Sequence, residues 1–402
     1  MKQVGIIGAG AAGIFAAISI KEKHPNYNVT VFEKQADILQ KVKISGGGRC
    51  NVTHACFDFK ELVDYYPRGG KGLLSLFSQF QPGDTMDWFE SRGVELKIEP
   101  DGRVFPKSNS SQTIIDCLLN SAIANNVAIL TKRQLVEITK KESKFDLVFS
   151  NGEAFSCENL IFTTGSSRKG HAFIKSLGHS IVDPVASLFT FTVKDKALTS
   201  LAGLSIKNVE VTVKGSSIPM QSGPLLITHW GLSGPAIIKT SAWGALALNK
   251  LGYKFDVSIN LLPNYSINTI SDQLHHTIAT NRNKKCVSIS PFSELPLRFW
   301  LYICEHLKFD GFLWKQLNTT QLNEVIKLLM TFKLKVSGKS NFKDEFVTAG
   351  GVDLNEVNLK TMESKYCSGL FFAGEVLNID GVTGGFNFQN AWTTAKQVQI
   401  DQ

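Results

Sequence analysis

The chain of 402 residues has few cysteines, and none of them forms a pair suited to dithiol chemistry. The seven cysteines are scattered, odd in number and without a Cys-x-x-Cys spacing. We therefore expect neither a disulfide scaffold nor a dithiol redox enzyme, and the pattern indicates a reducing, cytoplasmic location. The chain also lacks any apolar run near the roughly eighteen residues of a membrane span, so we expect no membrane association.

A metal site is also not expected. Cys50, His54 and Cys56 lie close together in the sequence, but no fourth potential ligand is nearby. Structural metal sites usually have four protein ligands, so this spacing does not predict one.

The start of the chain carries a βαβ pattern. The apolar run Lys2 to Ile7 predicts a buried strand, and Gly8, Gly10 and Gly13 lead into an Ala-rich helix former. In a dinucleotide site the first glycine permits the tight turn, the second leaves room for the pyrophosphate, and the third lets helix and strand pack closely. The helix N-terminus offers free N–H groups to phosphates.

An acidic residue completes this pattern. Val29 to Phe32 predicts a second strand, and Glu33 stands at its end, twenty residues beyond Gly13. A carboxylate at that distance accepts hydrogen bonds from ribose hydroxyls. A structural glycine turn alone would not explain Glu33, so the sequence predicts a dinucleotide site.

Two further glycine-rich segments extend the prediction. Ser45 to Gly48 precede Arg49 and Asn51, which suits backbone that approaches a flat ligand closely. Near the C-terminus, a strand ends at Gly374-Glu375, and Asp380 to Asn387 lead into a helix. This arrangement suits the ribityl chain and pyrimidine edge of a flavin, although an ordinary strand-turn-helix of the sheet is an equal alternative from spacing alone.

The middle of the chain differs in kind. Phe189 to Leu261 alternates apolar and polar residues and predicts an antiparallel sheet, whereas Ser266 to Leu329 is mostly helical. Neither region has a second Gly-x-Gly-x-x-Gly. We expect an α/β protein in which residues 1–188 and 341–402 form a discontinuous dinucleotide-binding domain, interrupted by a β-rich domain at 189–265 and a small helical, basic domain at 266–340.

Seven sequence blocks, taken together and in order, resemble one family: GIIGAGAAGI, KISGGGRCNVTH, GRVFPKS, THWGLSGPA, VTAGGVDLNEV, TMESK and GLFFAGEVLNIDGVTGGFNFQNAW. They are similar to the BaiN/RdsA-type family of NAD(P)/FAD-dependent oxidoreductases, the HI0933-like flavoproteins. The resemblance implies a two-dinucleotide-binding, Rossmann-like FAD domain with inserted domains. One departure is Trp392 to Ala395, where the family usually has a small-Gly pair in the closing helix.

The resemblance, with Gly10, Gly48 and Cys50 added from the glycine-rich segments, predicts the cofactor contacts. They are Gly8, Gly10, Ala12, Gly13, Glu33, Lys34, Lys41, Ser45, Gly47, Gly48, Arg49, Cys50, Asn51, Val136, Thr164, Gly165, Gly374, Glu375, Asp380, Gly385, Phe386, Asn387 and Ala391.

Three functional hypotheses remain open. The resemblance implies hydride delivery from reduced FAD to an activated C=C bond, either of a uridine in large-subunit ribosomal RNA, giving dihydrouridine, or of a small apolar enone similar to a bile-acid intermediate. A non-catalytic FAD-binding sensor or scaffold is the third. NAD(P)H is the expected transient electron donor, although no site for it is legible. Candidate proton donors are Cys50, His54 and His229.

The charge distribution bears on the partner. The net charge is +8, and residues 281–343 contain eleven Lys and Arg but four Asp and Glu. A solvated basic face and an RNA-binding surface both explain this excess. Trp300, Tyr302, Phe309, Phe312 and Trp314 are either stacking surfaces for bases or, as helix periodicity favours, core residues.

Overall fold

The computed structural model describes residues 1–340 and 347–400, and its chain forms two compact units. The first unit, here called the split unit, comprises Met1–Val185 and Phe346–Gln402. The second, the inserted unit, comprises Ala186–Glu345. No helix within the described ranges has both the length and the apolar character that crossing a bilayer requires.

A seven-stranded sheet forms the centre of the split unit. Its three central strands are mostly apolar and buried on both faces, as is usual where helices cover a parallel sheet, whereas the edge strand Ala128–Leu130 has no buried residue. In spatial order the seven strands are Val357–Asn358, Glu363–Ser364, Leu370–Phe372, Asn159–Phe162, Gln3–Ile7, Asn28–Phe32 and Ala128–Leu130. The last five are parallel to one another, and the first two are antiparallel at one edge.

Helices cover this sheet. The first helix is buried along Ala12 to Ile20 because it is built from small and apolar residues, and it packs against the C-terminal helix. The helices of the split unit are Ala11–Lys23, Gln40–Gly48, Phe59–Leu62, Gly70–Phe77, Pro82–Glu90, Ser111–Ala124, Arg168–Ser176 and Phe386–Lys396.

The described residues also form three smaller open sheets. One joins Thr53–His54, Arg103–Pro106 and Leu96–Ile98, and a second joins Leu135–Lys140, Phe145–Phe149 and Ala154–Cys157. The third pairs Ile181–Ala186 with Thr348–Val352. Two of these antiparallel pairs are hairpins, with turns at Asp101-Gly102 and Asn151-Gly152, as the Asp-Gly and Asn-Gly sequences predict.

The inserted unit is a closed six-stranded barrel with helices packed against it. The barrel order is Phe191–Val193, Gly231–Ser233, Gln221–Thr228, Ser205–Val213, Phe255–Asn260 and Phe332–Lys339. Its helices are Lys196–Thr199, Pro235–Lys250, Ile267–Asn281, Leu297–His306 and Thr319–Met330. The alternating pattern of Ser205–Val213 points Val209, Val211 and Val213 into the core.

Barrel and helices of the inserted unit share one hydrophobic core. Trp300 and Trp314 stack within it with ring centroids 6.0 Å apart, and both are almost fully buried. Tyr302 and Phe309 are buried as well, and Phe312 packs against the same cluster. These aromatic residues are therefore core residues, as their helix periodicity favoured, and not platforms for bases.

The final barrel strand, Phe332–Lys339, follows the segment Ser266 to Leu329 that was predicted as helical and lies within the predicted domain at 266–340. The predicted division of the insertion at residues 189–265 and 266–340 stays a prediction, and the predicted boundary at residue 341 lies outside the described residues.

The sequence predicts an N-cap at Asp84, after the break at Pro82-Gly83, and a C-terminal helix that begins at Gln389, and both predictions are wrong. Asp84 is not a helix N-cap: the helix begins at Pro82, and Asp84 accepts a hydrogen bond from Gln81 N at 2.8 Å from inside the first turn. Proline suits the first helical position because its missing N–H would be unpaired there. The C-terminal helix starts at Phe386, three residues before the predicted Gln389.

Candidate dinucleotide site

The glycine turn after the first strand is built by close packing. A Cβ at Gly13 would lie 1.9 Å from the carbonyl oxygen of Gly8, so no larger residue fits there. A Cβ at Gly10 would have no atom of the described residues within 4 Å, apart from those of its chain neighbours. The turn is thus tightly packed on one side and open on the other, beside the N-terminus of the first helix. This is the arrangement that a pyrophosphate requires.

Glu33 is held beside this turn. Its Oε2 accepts a hydrogen bond from Ala9 N at 3.0 Å, and its Oε1 accepts one from Gln35 N at 2.9 Å. The partly exposed carboxylate is therefore fixed next to the glycine turn. A ribose bound beside this turn would be within reach of the carboxylate.

The strand Asn159–Phe162 ends against the same turn. Thr163 Oγ1 lies 3.0 Å from Ile7 O and 2.8 Å from Gly8 O and donates to them. Thr164 follows, and its Oγ1 is buried without a hydrogen-bond partner among the described residues. Thr163 is not among the contacts that the sequence predicts, although it directly precedes Thr164 and Gly165.

The glycine-rich segment is a short helix with a break. The helix spans Gln40–Gly48, but Ser45, Gly46 and Gly47 have non-helical dihedral angles, which agrees with the expectation that three glycines do not continue a helix. Arg49 is then fixed: its guanidinium lies 3.9 Å from the Phe105 ring centroid and 2.6 Å from Glu99 Oε1.

Glu375 joins several of the predicted cofactor residues. It forms an ion pair with Lys41, and its Oε1 accepts hydrogen bonds from Thr348 N at 3.1 Å and Thr348 Oγ1 at 3.2 Å. A Cβ at Gly165 would lie 3.6 Å from Glu375 Oε2. Residues separated by more than 300 positions in sequence thus meet beyond the ends of the central strands Leu370–Phe372 and Asn159–Phe162.

Gly374 packs against two helices, Ala11–Lys23 and Phe386–Lys396. A Cβ there would lie 2.7 Å from that of Ala12, and Gly374 N donates to Thr394 Oγ1 at 2.8 Å. Thr394 belongs to the segment that departs from the family pattern. Its hydroxyl receives a backbone N–H at the site, which gives the departure a structural role.

Asp380 is fully buried in a bidentate ion pair with Arg68. The predicted role of Asp380 at the cofactor therefore has to accommodate an arginine on both carboxylate oxygens. Asn387 is engaged as well, because its side chain exchanges hydrogen bonds with the backbone N and O of Gly381 at 2.9 and 2.8 Å. Both residues hold the turn that precedes the C-terminal helix.

A buried polar network fixes the C-terminal helix. Gln389 Oε1 accepts from Thr53 Oγ1 at 2.6 Å and from Thr85 Oγ1 at 2.9 Å, and its Nε2 donates to Thr393 Oγ1 at 3.0 Å. All four side chains are fully buried. A satisfied network of this kind locks the position of the helix start near Gly385 and Phe386.

The other predicted contacts differ in setting. Val136 lies at a bulge in its strand pairing and is 47% exposed, and Lys34 is exposed. Asn51 is buried, and its Oδ1 has no hydrogen-bond partner within the described ranges.

The candidate proton donors have three different environments. Cys50 is fully buried, and burial raises the pKa of its thiol to about 12, so the thiol stays protonated. His54 is partly buried, stacks on Phe386 with centroids 4.6 Å apart, and has its Nε2 3.1 Å from Asp101 O. His229 is an exposed turn residue of the inserted unit.

Comparison with known proteins now identifies the family. The model described as "HI0933-like protein Rossmann domain" matches residues 2–399. The chain belongs to the HI0933-like family. This confirms the family and the α/β, Rossmann-like fold class that the sequence motifs predicted.

Curated relatives of this HI0933-like protein match over nearly full length. "Ribosomal RNA dihydrouridine synthase" of Escherichia coli K12 is 29% identical, with 97% of this chain and 95% of the relative covered. "3-dehydro-bile acid delta(4,6)-reductase" of Clostridium scindens is 27% identical, with 98% and 97% covered. The predicted enzyme class, an oxidoreductase, is confirmed by this kinship.

A solved structure of similar fold is a 3-ketosteroid-delta4-(5alpha)-dehydrogenase from Rhodococcus jostii RHA1. It aligns with a TM-score of 0.50 at 10% identity, covering 99% of this chain and 97% of that one. This likeness concerns the fold alone.

The residues of this HI0933-like protein fit a flavin dinucleotide. The same unit contains the open side of the glycine turn at Gly10 and the oriented carboxylate of Glu33. It also contains two buried atoms, Asn51 Oδ1 and Thr164 Oγ1, that have no hydrogen-bond partner in the part of the chain that the structure describes. Buried polar atoms without partners are rare in folded proteins, so these two are suited to a polar ligand.

Proposed function

We propose that this protein is an FAD-dependent oxidoreductase that reduces an activated C=C bond of a uridine in large-subunit ribosomal RNA, giving dihydrouridine. The observation that carries the proposal is full-length similarity to two relatives named as ribosomal RNA dihydrouridine synthases, at 29% and 28% identity. The convergence of the predicted cofactor segments in the split unit supports it.

FAD, when bound, supplies the hydride for this chemistry, with NAD(P)H as its transient electron donor. Glu33 would hold the adenosine ribose, and the open side of the turn at Gly10 would take the pyrophosphate. The Gln389 network fixes the C-terminal helix, and the dipole at the N-terminus of this helix would favour negative charge on a bound flavin.

The reaction also needs a proton for the second carbon of the alkene. Cys50 keeps its proton too firmly and is fully buried, with a thiol pKa of about 12. His54 is partly exposed in the same unit, and its ring is oriented by Phe386 and by the Asp101 carbonyl. We therefore assign the proton donor to His54 ahead of Cys50 and His229.

The basic surface of the inserted unit would bind the RNA. Three exposed cations lie close together in sequence: Arg282 is separated by Asn283 alone from the adjacent Lys284 and Lys285. Lys315 is exposed beside them. Backbone hydrogen bonds join the two segments: Lys315 N donates to Arg282 O at 3.2 Å and Trp314 N to Lys284 O at 3.0 Å.

This surface, here called the basic ridge (Arg282, Lys284, Lys285 and Lys315), rests on the buried Trp300–Trp314 pair, and Trp300 Nε1 donates to Cys286 O at 2.9 Å. The core aromatics therefore hold the charges in place, and phosphate contacts, not base stacking, are the expected mode of binding.

Two other lysines of the basic region differ in setting. Lys333 and Lys335 point outward from the barrel strand Phe332–Lys339, and Lys335 lies opposite Asp256 on the neighbouring strand. Lys343 of the predicted basic region lies outside the described residues. A cross-strand acid partly neutralises Lys335, which makes the basic ridge the stronger phosphate-binding candidate.

A second candidate function is reduction of a small apolar enone. The relative named as a bile-acid reductase matches as much of the chain as the RNA-modifying relatives do. The chemistry is the same, and only the substrate differs.

One experiment separates the two substrates. The flavin of the purified protein is reduced without oxygen, and its reoxidation is followed after addition of unmodified ribosomal RNA or of a 3-keto-steroid dienone. We expect RNA to accelerate reoxidation and dihydrouridine to form in equal amount. Acceleration by the dienone alone would favour the second candidate, and acceleration by neither would contradict both.

A further inference from the structure

His171 is a buried histidine without an assigned role. It lies in the helix Arg168–Ser176, shortly after the turn Thr164-Gly165 at the end of a central strand. Only 4% of its surface is exposed, and neither ring nitrogen has a hydrogen-bond partner among the residues that the structure describes. Single atoms of this kind occur elsewhere, as at Trp314 Nε1, but here both nitrogens of one ring are affected.

The surroundings of His171 belong to the dinucleotide site. A Cβ at Gly170 would lie 2.3 Å from Thr164 Oγ1, so this unpartnered hydroxyl packs against the turn of helix that carries His171. The same helix packs against the strand Thr348–Val352. Thr348 in turn donates two hydrogen bonds to Glu375.

The charges around the ring define what it can bind. Burial lowers the pKa of His171 and Lys175 lowers it further, whereas the carboxylates of Glu375 and Asp183 raise it. The ring is therefore neutral near pH 7 and presents one donor and one acceptor. A neutral imidazole, a hydroxyl and a carboxylate suit hydroxyl groups better than phosphate, because the carboxylate repels an anion.

We propose that His171 and Thr164 bind the ribityl chain of FAD, alongside Glu375. This inference rests on the proposed function in that it takes FAD as the cofactor. It adds His171 to the predicted contacts and assigns Thr164, which is already among them, to the ribityl chain. The ribityl hydroxyls would provide the hydrogen-bond partners that the buried imidazole lacks within the described part of the chain.

His179 offers a matched control in the same unit. It is also 4% exposed, but its Nδ1 lies 3.1 Å from Glu356 Oε2 and its Nε2 lies 2.8 Å from Ser364 Oγ. Replacing it with phenylalanine removes both of these contacts, so that Glu356 Oε2 keeps only the hydrogen bond from Ser180 N and Ser364 Oγ only those from Tyr366 N and Cys367 N. Replacing His171 with phenylalanine instead removes two polar atoms that have none among the described residues.

The test compares His171→Phe, Thr164→Val and His179→Phe with the wild type. FAD affinity, ADP affinity and the thermal midpoint of the FAD-free protein are measured for each, because ADP lacks the ribityl chain. For His171→Phe we expect about tenfold weaker FAD binding, unchanged ADP binding and an unchanged or higher midpoint. Thr164→Val should weaken FAD binding in the same sense, and His179→Phe should lower the midpoint.

Unchanged FAD affinity in both site variants would overturn the inference. An equal loss of ADP affinity would place the contact on the adenosine half and overturn the ribityl assignment. A midpoint of His171→Phe as low as that of His179→Phe would make the residue structural. A wild-type protein that binds no FAD would overturn the proposed function, and the inference with it.

Discussion

The Glu33 carboxylate accepts a hydrogen bond from the backbone amide of Ala9 at 3.0 Å, which joins the end of the second strand to the glycine turn after the first. This contact fixes the carboxylate that we propose as the acceptor for ribose hydroxyls. A preorganised acceptor loses less entropy on binding.

Glu33→Ala should therefore weaken FAD binding while the protein stays folded. Hydrogen bonds to a charged group contribute about 1.5–3 kcal/mol, which corresponds to roughly a ten- to hundredfold loss of affinity. Titration of the FAD-free variant with FAD measures this. Glu33→Gln is the control, since it keeps one acceptor oxygen and should lose less affinity. Equal affinity of Glu33→Ala and wild type would mean that the ribose is held elsewhere.

The buried ion pair of Arg68 and Asp380 gives a second prediction, on stability. Arg68→Met leaves the fully buried Asp380 without its charged partner, and we expect the free energy of unfolding to fall by about 3–5 kcal/mol. Denaturant unfolding of the FAD-free protein measures it.

The double variant Arg68→Met with Asp380→Leu should recover much of this loss, because no unpaired buried charge remains. If the double variant were as unstable as the sum of the two single variants, the carboxylate would not be the source of the penalty.

Some of this site was predictable and some was not. Gly8, Gly13 and Glu33 are predicted from neighbouring residues in sequence, and the structure brings them together at one turn. Their roles in cofactor binding stay predictions. The Arg68–Asp380 pair spans 312 positions and the Thr53–Gln389 hydrogen bond spans 336. No local pattern encodes such pairings, because they arise from packing between distant segments.

His171 shows the same limit. Its helix was not predicted, and a histidine within nine mostly polar residues gives no sign of burial in the sequence. The fold class was predictable because strand and helix periodicities are local, whereas the closing of the barrel by a strand after the helices required the structure.

The pH dependence of stability is a third prediction. Burial holds the pKa values of His171 and His179 below the ordinary histidine value of about 6.5. The unfolded chain then binds more protons than the folded protein between the folded-state values and about 6.5, so stability rises with pH in this window. The contribution is complete above about pH 6.5 and is lost as the pH falls.

Thermal midpoints of the FAD-free protein at about pH 7.5 and about pH 5.5 test this, and the midpoint should be lower at the acidic pH. His171→Phe should show a smaller decrease than the wild type, because one of the titrating rings is gone. An equal decrease in both proteins would show that His171 does not take part.

RNA binding gives a fourth prediction. If about four basic residues each contact a phosphate, the logarithm of the binding constant should fall with the logarithm of salt concentration with a slope of roughly −3 to −4. The double variant Lys284→Glu and Lys285→Glu should lose most of this RNA affinity and keep the flavin spectrum of the wild type. Filter binding at several salt concentrations measures the loss of affinity, and an absorbance spectrum checks the flavin.

Lys333→Glu with Lys335→Glu is the matched control, with the same change of charge on the barrel strand. We expect a smaller loss of affinity, because these lysines lie outside the basic ridge. Binding of wild type that is weak and indifferent to salt would favour the small-molecule substrate instead.

The central claim is that the protein reduces a uridine of ribosomal RNA with a bound flavin. Mass-spectrometric mapping of dihydrouridine in large-subunit ribosomal RNA, from cells with and without this gene, tests it most directly. We expect one dihydrouridine to disappear without the gene, to return with the wild-type gene and to return less with Glu33→Ala. An unchanged dihydrouridine content in cells that lack the gene would contradict the claim.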